Sequence, residues 1–175
     1  MRNKSKYFLL FKNAICFDLN KNGPVFVAFL SPPTADVTVD FASLLFALWS
    51  QPKHLKRWMG PWHFTCLEAD IDFRVGGAYR VMIKSPDHGE NWFGGVYREI
   101  VHDKRLVFTF AWEDGPSAGV ETLVTITFEE RGGKTVQTFH QRPFLNIERR
   151  DSHASGWTES FDKLDEYIAS IAKEH

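Results

Sequence analysis

Asp72-Phe73-Arg74-Val75-Gly76-Gly77-Ala78-Tyr79-Arg80 is the stretch whose reading decides the fold. Upstream of it, Ala69, Ile71 and Phe73 fall on one face of an extended strand, and Glu68, Asp70, Asp72 and Arg74 fall on the other, because successive strand side chains point to opposite sides. One face is dry and one is wet. Arg74-Val75-Gly76 has turn chemistry, and alternation resumes at once from Gly77, so the stretch reads as a tight antiparallel hairpin. About a dozen residues earlier, Trp58-Met59-Gly60-Pro61 closes a helical region and marks the entry to this extended part of the chain.

Working outward, period two persists and predicts strands over residues 65–73, 77–84, 91–101, 105–112, 121–129 and 135–141, joined by short turns. Short joins between alternating strands mean a meander of sequential hairpins. Before it, Leu44, Leu45, Leu48 and Trp49 fall at helical spacing over 42–49. Pro52 stops that helix ahead of a short helical turn over 53–58. After it, Trp157, Phe161, Leu164, Ile168 and Ile171 form the apolar stripe of a long C-terminal helix. A one-sided sheet and a single amphipathic helix bury both apolar faces when the sheet curls around the helix. Gly76-Gly77 and Gly94-Gly95 are the bending points such a curl requires. The fold class expected is therefore α+β, a curved antiparallel sheet gripping a C-terminal helix.

Five motifs in order carry a resemblance to a known family. They are Trp58-Met59-Gly60-Pro61, Asp72 to Arg80, Trp92-Phe93-Gly94-Gly95-Val96-Tyr97-Arg98-Glu99-Ile100, Arg105-Leu106-Val107-Phe108-Thr109, and Gly156-Trp157-Thr158-Glu159-Ser160-Phe161. Together they resemble the bacterial homologues of the activator of Hsp90 ATPase, within the START-like (SRPBCC, Bet v 1-like) superfamily of helix-grip proteins. The resemblance runs from about Val37 to about Ala169. It implies a helix-grip fold and one of three activities: binding a small molecule between sheet and helix, regulating a chaperone partner, or cavity chemistry such as cyclisation, dehydration or hydrolysis. Residues 1–35 stand outside it as an extension with room for extra strands, and 36–175 are the expected helix-grip domain. Val25, Val27 and Phe29 alternate, as do Val37, Val39 and Phe41. The second set abuts the first helix and is the preferred first strand.

Composition narrows the classes further. Lysine and arginine number 21 against 22 acidic residues, so no net field draws in nucleic acid or an anionic membrane. Two cysteines, Cys16 and Cys66, make neither a disulfide framework nor a metal quartet, which fits a reducing cytoplasm. The longest apolar runs fall far short of a membrane span. Arg2, Lys4 and Lys6 precede an apolar run, but Lys12 and Asn13 cut it below the length a secretory signal needs. A cytoplasmic monomer or homodimer, without membrane insertion, is expected.

At 15% aromatic, with 16 phenylalanines and 6 tryptophans, the chain carries more large apolar surface than a minimal core demands. Trp58, Phe73, Tyr79, Trp92, Phe110, Trp112, Phe139, Trp157 and Phe161 are therefore candidate walls of a cavity for a small hydrophobic or aromatic ligand. The competing reading is that all nine simply fill the interior. Gln137 is the candidate polar handle. With Phe139 inward, Gln137 and Gln141 also point inward and His140 out; the opposite phase turns His140 inward. No metal-ligand spacing, nucleophile elbow or phosphate-cradling glycine motif is present in the sequence. No catalytic residues, metal or cofactor are expected, and the glycine pairs read as sheet-bending residues.

Overall fold

The computed structural model describes residues 14–15, 23–30 and 41–171. Among the described residues, eight antiparallel strands form one open sheet: β1 (Ala14–Ile15), β2 (Val25–Leu30), β3 (Thr65–Ile71), β4 (Ala78–Ser85), β5 (Gly89–Val101), β6 (Arg105–Trp112), β7 (Thr122–Arg131) and β8 (Lys134–Arg142). Their order across the sheet is β1-β2-β8-β7-β6-β5-β4-β3, so β3 to β8 are the expected meander and β2 closes onto the far side of β8. Helices α1 (Phe41–Ser50) and α2 (Pro52–Trp58) lie between β2 and β3 in the chain, and α3 (Ile147–Ile171) follows β8.

Each helix exists for a local reason. In α1, Phe41, Leu45 and Leu48 continue one apolar stripe, and all three are buried. Pro52 opens α2 at a position whose N–H has no helical partner, and Gln51 before it is extended, as a residue preceding proline prefers. The stripe of α3 is buried at Trp157, Phe161, Leu164 and Ile168 against the inner face of the sheet.

Two features differ from the sequence-based expectation. The strand beside β8 is Val25–Leu30, the alternative to the preferred 37–41, and it pairs from Val25↔His140 to Leu30↔Thr135. Phe41 belongs to α1 instead, because its spacing to Leu45 and Leu48 is helical; 37–40 lie outside the described residues. In addition, α3 begins ten residues before Trp157.

The sheet bends at the middle of β5. A side chain at Gly95 would overlap the Thr109 carbonyl oxygen of β6, so only glycine allows the two strands to approach so closely. Beside it, the Val96 amide donates to the Thr109 hydroxyl oxygen at 3.0 Å, and the β5–β6 register then shifts between Tyr97 and Glu99. This curl brings both halves of the inner face onto the helices. At the centre, Trp49 meets Trp58 at 4.7 Å between ring centroids, Trp157 at 6.0 Å, Phe139 at 6.1 Å and Phe161 at 6.2 Å. The middle of the interior is filled with rings.

Candidate ligand cavity

Towards one end of that interior the packing opens into a cavity of about 220 Å³ between the sheet and the first half of α3. Its wall comes from Met59, Gly60, Pro61 and Phe64 of the α2–β3 connection, and from Ile83, Asn91, Phe93, Phe110 and Trp112 of β4 to β6. Ser152, His153, Gly156, Trp157 and Ser160 of α3 complete it. The aromatic members are fixed by one another: Phe93 stacks on Phe110 at 4.8 Å and stands edge-on to Trp112 at 5.3 Å.

Lys163 holds the connection in place. Its ammonium donates to the carbonyls of Gly60 at 2.9 Å, Phe64 at 2.9 Å and Pro61 at 3.4 Å, all in the cavity wall. Partial burial lowers its pKa. Gly60 adopts a φ of 96°, and a side chain there would press on Ile83, so the tight entry into β3 needs glycine. Cys66 lies in β3 beyond this connection; burial pushes its thiol up to about 11, so it is an inert packed group rather than a nucleophile.

Several polar groups at and behind the cavity wall are paired within the protein. Trp157 Nε1 donates to Gln141 Oε1 at 2.7 Å, Gln141 Nε2 to Thr122 Oγ1 at 2.8 Å, and Thr122 Oγ1 to the Phe110 carbonyl at 3.1 Å. That chain satisfies a buried indole and a fully buried amide. Trp112 Nε1 donates to His153 Nε2 at 3.2 Å. Burial, followed by the nearby Arg149 charge, lowers the His153 imidazole to about 4, so it is neutral at pH 7. Since an indole N–H can only donate, Nε2 is the acceptor, and the proton of the neutral ring sits on Nδ1.

Of the residues singled out from the sequence, the structure brings Phe110, Trp112 and Trp157 to this cavity. Trp58, Phe139 and Phe161 are fully buried in the filled centre, and Phe73 packs on Phe46 and Tyr97 away from it. Tyr79 faces inward with its hydroxyl donated to the Thr109 carbonyl at 2.8 Å. Trp92 faces outward beneath the Arg80 guanidinium, 3.6 Å from the ring centroid. Gln137 does face inward with Phe139, but its Oε1 accepts the Trp49 indole N–H at 3.0 Å and it is not in the cavity wall.

Several wall residues carried little sequence signal. Phe93 alternates with Gly95 and Tyr97, while Trp92 alternates with Gly94 and Val96, so both phases of β5 show large apolar groups. His153, Gly156 and Ser160 interrupt an apolar stripe, which hides them from a search for periodicity. A serine, a histidine and a glycine spaced along a helix facing a sheet is the available clue to a hollow.

A larger open groove of about 730 Å³ lies on the opposite, outer face, lined in part by Asp70, Asp72, Arg80, Gly94, Ala111 and Glu113. There Arg80 makes two 2.7 Å hydrogen bonds to the Glu113 carboxylate, so its principal charges are already paired in solvent. The half-open cavity under α3, by contrast, is lined by rings and has no carboxylate, guanidinium or ammonium in its wall. Among the described residues no three His, Cys, Asp or Glu side chains gather as a metal site, and no helix is long and apolar enough to cross a membrane.

A curled antiparallel sheet around a long C-terminal helix, hollow at one end, defines the helix-grip class. The family described as activator of Hsp90 ATPase homolog 1-like protein matches residues 42–169, and the chain belongs to it. Solved structures agree in fold. A Chromobacterium violaceum protein superposes with a TM-score of 0.67 at 22% identity, covering 84% of this chain and 94% of that one. An AHSA1 protein from Silicibacter pomeroyi gives 0.66 at 23% identity over 86% of this chain and 99% of its own. A Mycobacterium smegmatis protein gives 0.69 at 18% identity over 88% and 92%. No curated protein matches the sequence.

Proposed function

We propose that this protein binds a small apolar molecule in the cavity between the sheet and α3, and that it holds the molecule without transforming it. The observation that supports this is a half-open, ring-lined hollow whose one titratable wall residue, His153, is neutral and already tied to Trp112. General acid–base or nucleophilic chemistry needs a convergent pair of such groups. The cavity wall shows none: Ser160 Oγ donates to the Gly156 carbonyl at 2.7 Å rather than to a base.

Neither the chaperone-regulating role in the family's description nor a cavity enzyme is favoured by a particular contact among the described residues. The test is thermal unfolding in the presence of a panel of lipids and aromatic metabolites. A ligand at a hundredfold its Kd adds about 2.7 kcal/mol of stability. For a domain of this size that is a rise in midpoint of roughly 5–10 °C. A panel that leaves the midpoint unmoved at millimolar concentration overturns the reading.

A further inference from the structure

We infer, resting on the cavity reading above, that the occupant is an uncharged molecule with a single aromatic ring and a hydroxyl group. The ring lies among Phe64, Phe93, Phe110 and Trp157, and the hydroxyl meets the polar part of the wall formed by His153 and Asn91. Three observations on this cavity converge on that class.

The first is size. An apolar protein cavity of roughly 150 Å³ takes up benzene, and pockets for drug-sized ligands run from roughly 300 Å³ upward. At about 220 Å³ this half-open cavity accommodates one ring with a short substituent, whereas most of a sterol or a long acyl chain would project from its mouth into solvent.

The second is the hydrogen-bond inventory. Trp112 occupies His153 Nε2, leaving Nδ1–H as that ring's donor. Asn91 Nδ2 donates to the carbonyls of His88 at 3.3 Å and Gly89 at 3.2 Å, which fixes the amide orientation and leaves Oδ1 as an acceptor. Ser160 has given its proton to the Gly156 carbonyl and can only accept from a ligand. The His153 Nδ1–H and the Ser152 hydroxyl supply donors beside the acceptors at Asn91 and Ser160, and such a mixed set suits a group that both gives and takes a hydrogen bond, which is a hydroxyl.

The third is charge. No carboxylate, guanidinium or ammonium is in the wall, and Lys163 commits its ammonium to three carbonyls of the connection. An ionised ligand would lose its hydration without gaining an opposite charge.

The experiment uses p-cresol, toluene, benzoate and benzylamine at pH 7, with affinities read by amide chemical-shift titration. The full chain is expected to bind p-cresol more tightly than benzoate or benzylamine by about tenfold or more, equivalent to about 1.4 kcal/mol. His153→Phe should reduce the preference for p-cresol over toluene by about three- to tenfold, the loss of one hydrogen bond. Because the readout is a ratio, a general change in packing cancels from it.

Gly156→Leu should abolish binding of every probe while the fold persists. A Cβ at that position touches only Pro61 Cγ, at 3.7 Å, and the remaining side-chain atoms occupy the hollow. Charged rings binding as well as p-cresol, or an unchanged p-cresol-to-toluene ratio in His153→Phe, would overturn the ligand class and leave the cavity reading intact. Failure of the full chain to bind any of the four probes would overturn the single-ring class, whereas undiminished binding by folded Gly156→Leu would overturn the cavity reading itself. Should His153→Phe not fold, the neutral-against-charged comparison on the unaltered chain still decides the class.

Discussion

His153 shows how a single side chain in a cavity wall couples site and stability. Burial holds its pKa at about 4 against the ordinary 6.5. A proton on Nε2 would also point at the Trp112 N–H, donor against donor. Between these two values the unfolded chain binds a proton that the folded chain refuses. The contribution of the neutral ring is thus complete above about pH 6.5 and lost as pH falls towards about 4. Its full size is about 3 kcal/mol. Denaturant unfolding of the native chain and of His153→Gln between pH 7 and pH 4 should show a shallower loss in the variant. Parallel curves would remove His153 from the acid sensitivity.

The same scale shows what the sequence could reveal about the site. Trp112, Phe110 and Trp157 were legible as large inward groups, because strand alternation and helical spacing each give a direction. Gln137 and Gln141 were legible as buried amides once Phe139 is taken as inward. Their partners, the indoles of Trp49 and Trp157, are 88 and 16 residues away and are set only by tertiary packing.

At the level of elements, periodicity, aided by turn chemistry, located all six strands of the meander, even β6, which is buried on both faces from Leu106 to Phe110. It failed over the first ten residues of α3 for a physical reason. That segment faces a hollow and solvent, so it needs no apolar stripe; Ile147 is exposed, and His153 and Gly156 stand where core residues would otherwise be. Phase was equally ambiguous in β5, where Gly94 and Gly95 leave Trp92 outside and Phe93 inside.

The α2–β3 connection is clamped by a single side chain, Lys163. Lys163→Met keeps most of the aliphatic volume and removes three donors from the Gly60, Pro61 and Phe64 carbonyls. It should lower stability by about 1–3 kcal/mol. Hydrogen exchange should quicken at the backbone amides of 60–66 in particular. Exchange accelerated evenly through the whole sheet would mean that the lysine does not clamp this connection.

For the molecule as a whole, the curled sheet and gripped helix follow from a pattern that any reader of the chain can trace, but the sheet's limit does not. The family match starts at residue 42, whereas β2 supplies Phe26 to the core, edge-on to Phe139 at 5.8 Å and to Phe161 at 5.2 Å. Short strands near a terminus carry too few residues for alternation to single one out. A chain shortened to residues 36–175 loses β2 and bares the edge of β8 along its length. It should be at least about 3 kcal/mol less stable through loss of Phe26 alone, and prone to self-association. A monomeric fragment as stable as the full chain in sedimentation and unfolding would show that β2 is dispensable.

The distribution of indoles gives the molecule a built-in optical gauge. Trp62 is 46% exposed, whereas Trp112 and Trp157 form part of the cavity wall. A guest entering that hollow displaces water or empty space from two of the six fluorophores and leaves the half-exposed Trp62, outside the wall, untouched. Occupancy is then readable without a label, as a change in the blue-edge emission against a constant red shoulder.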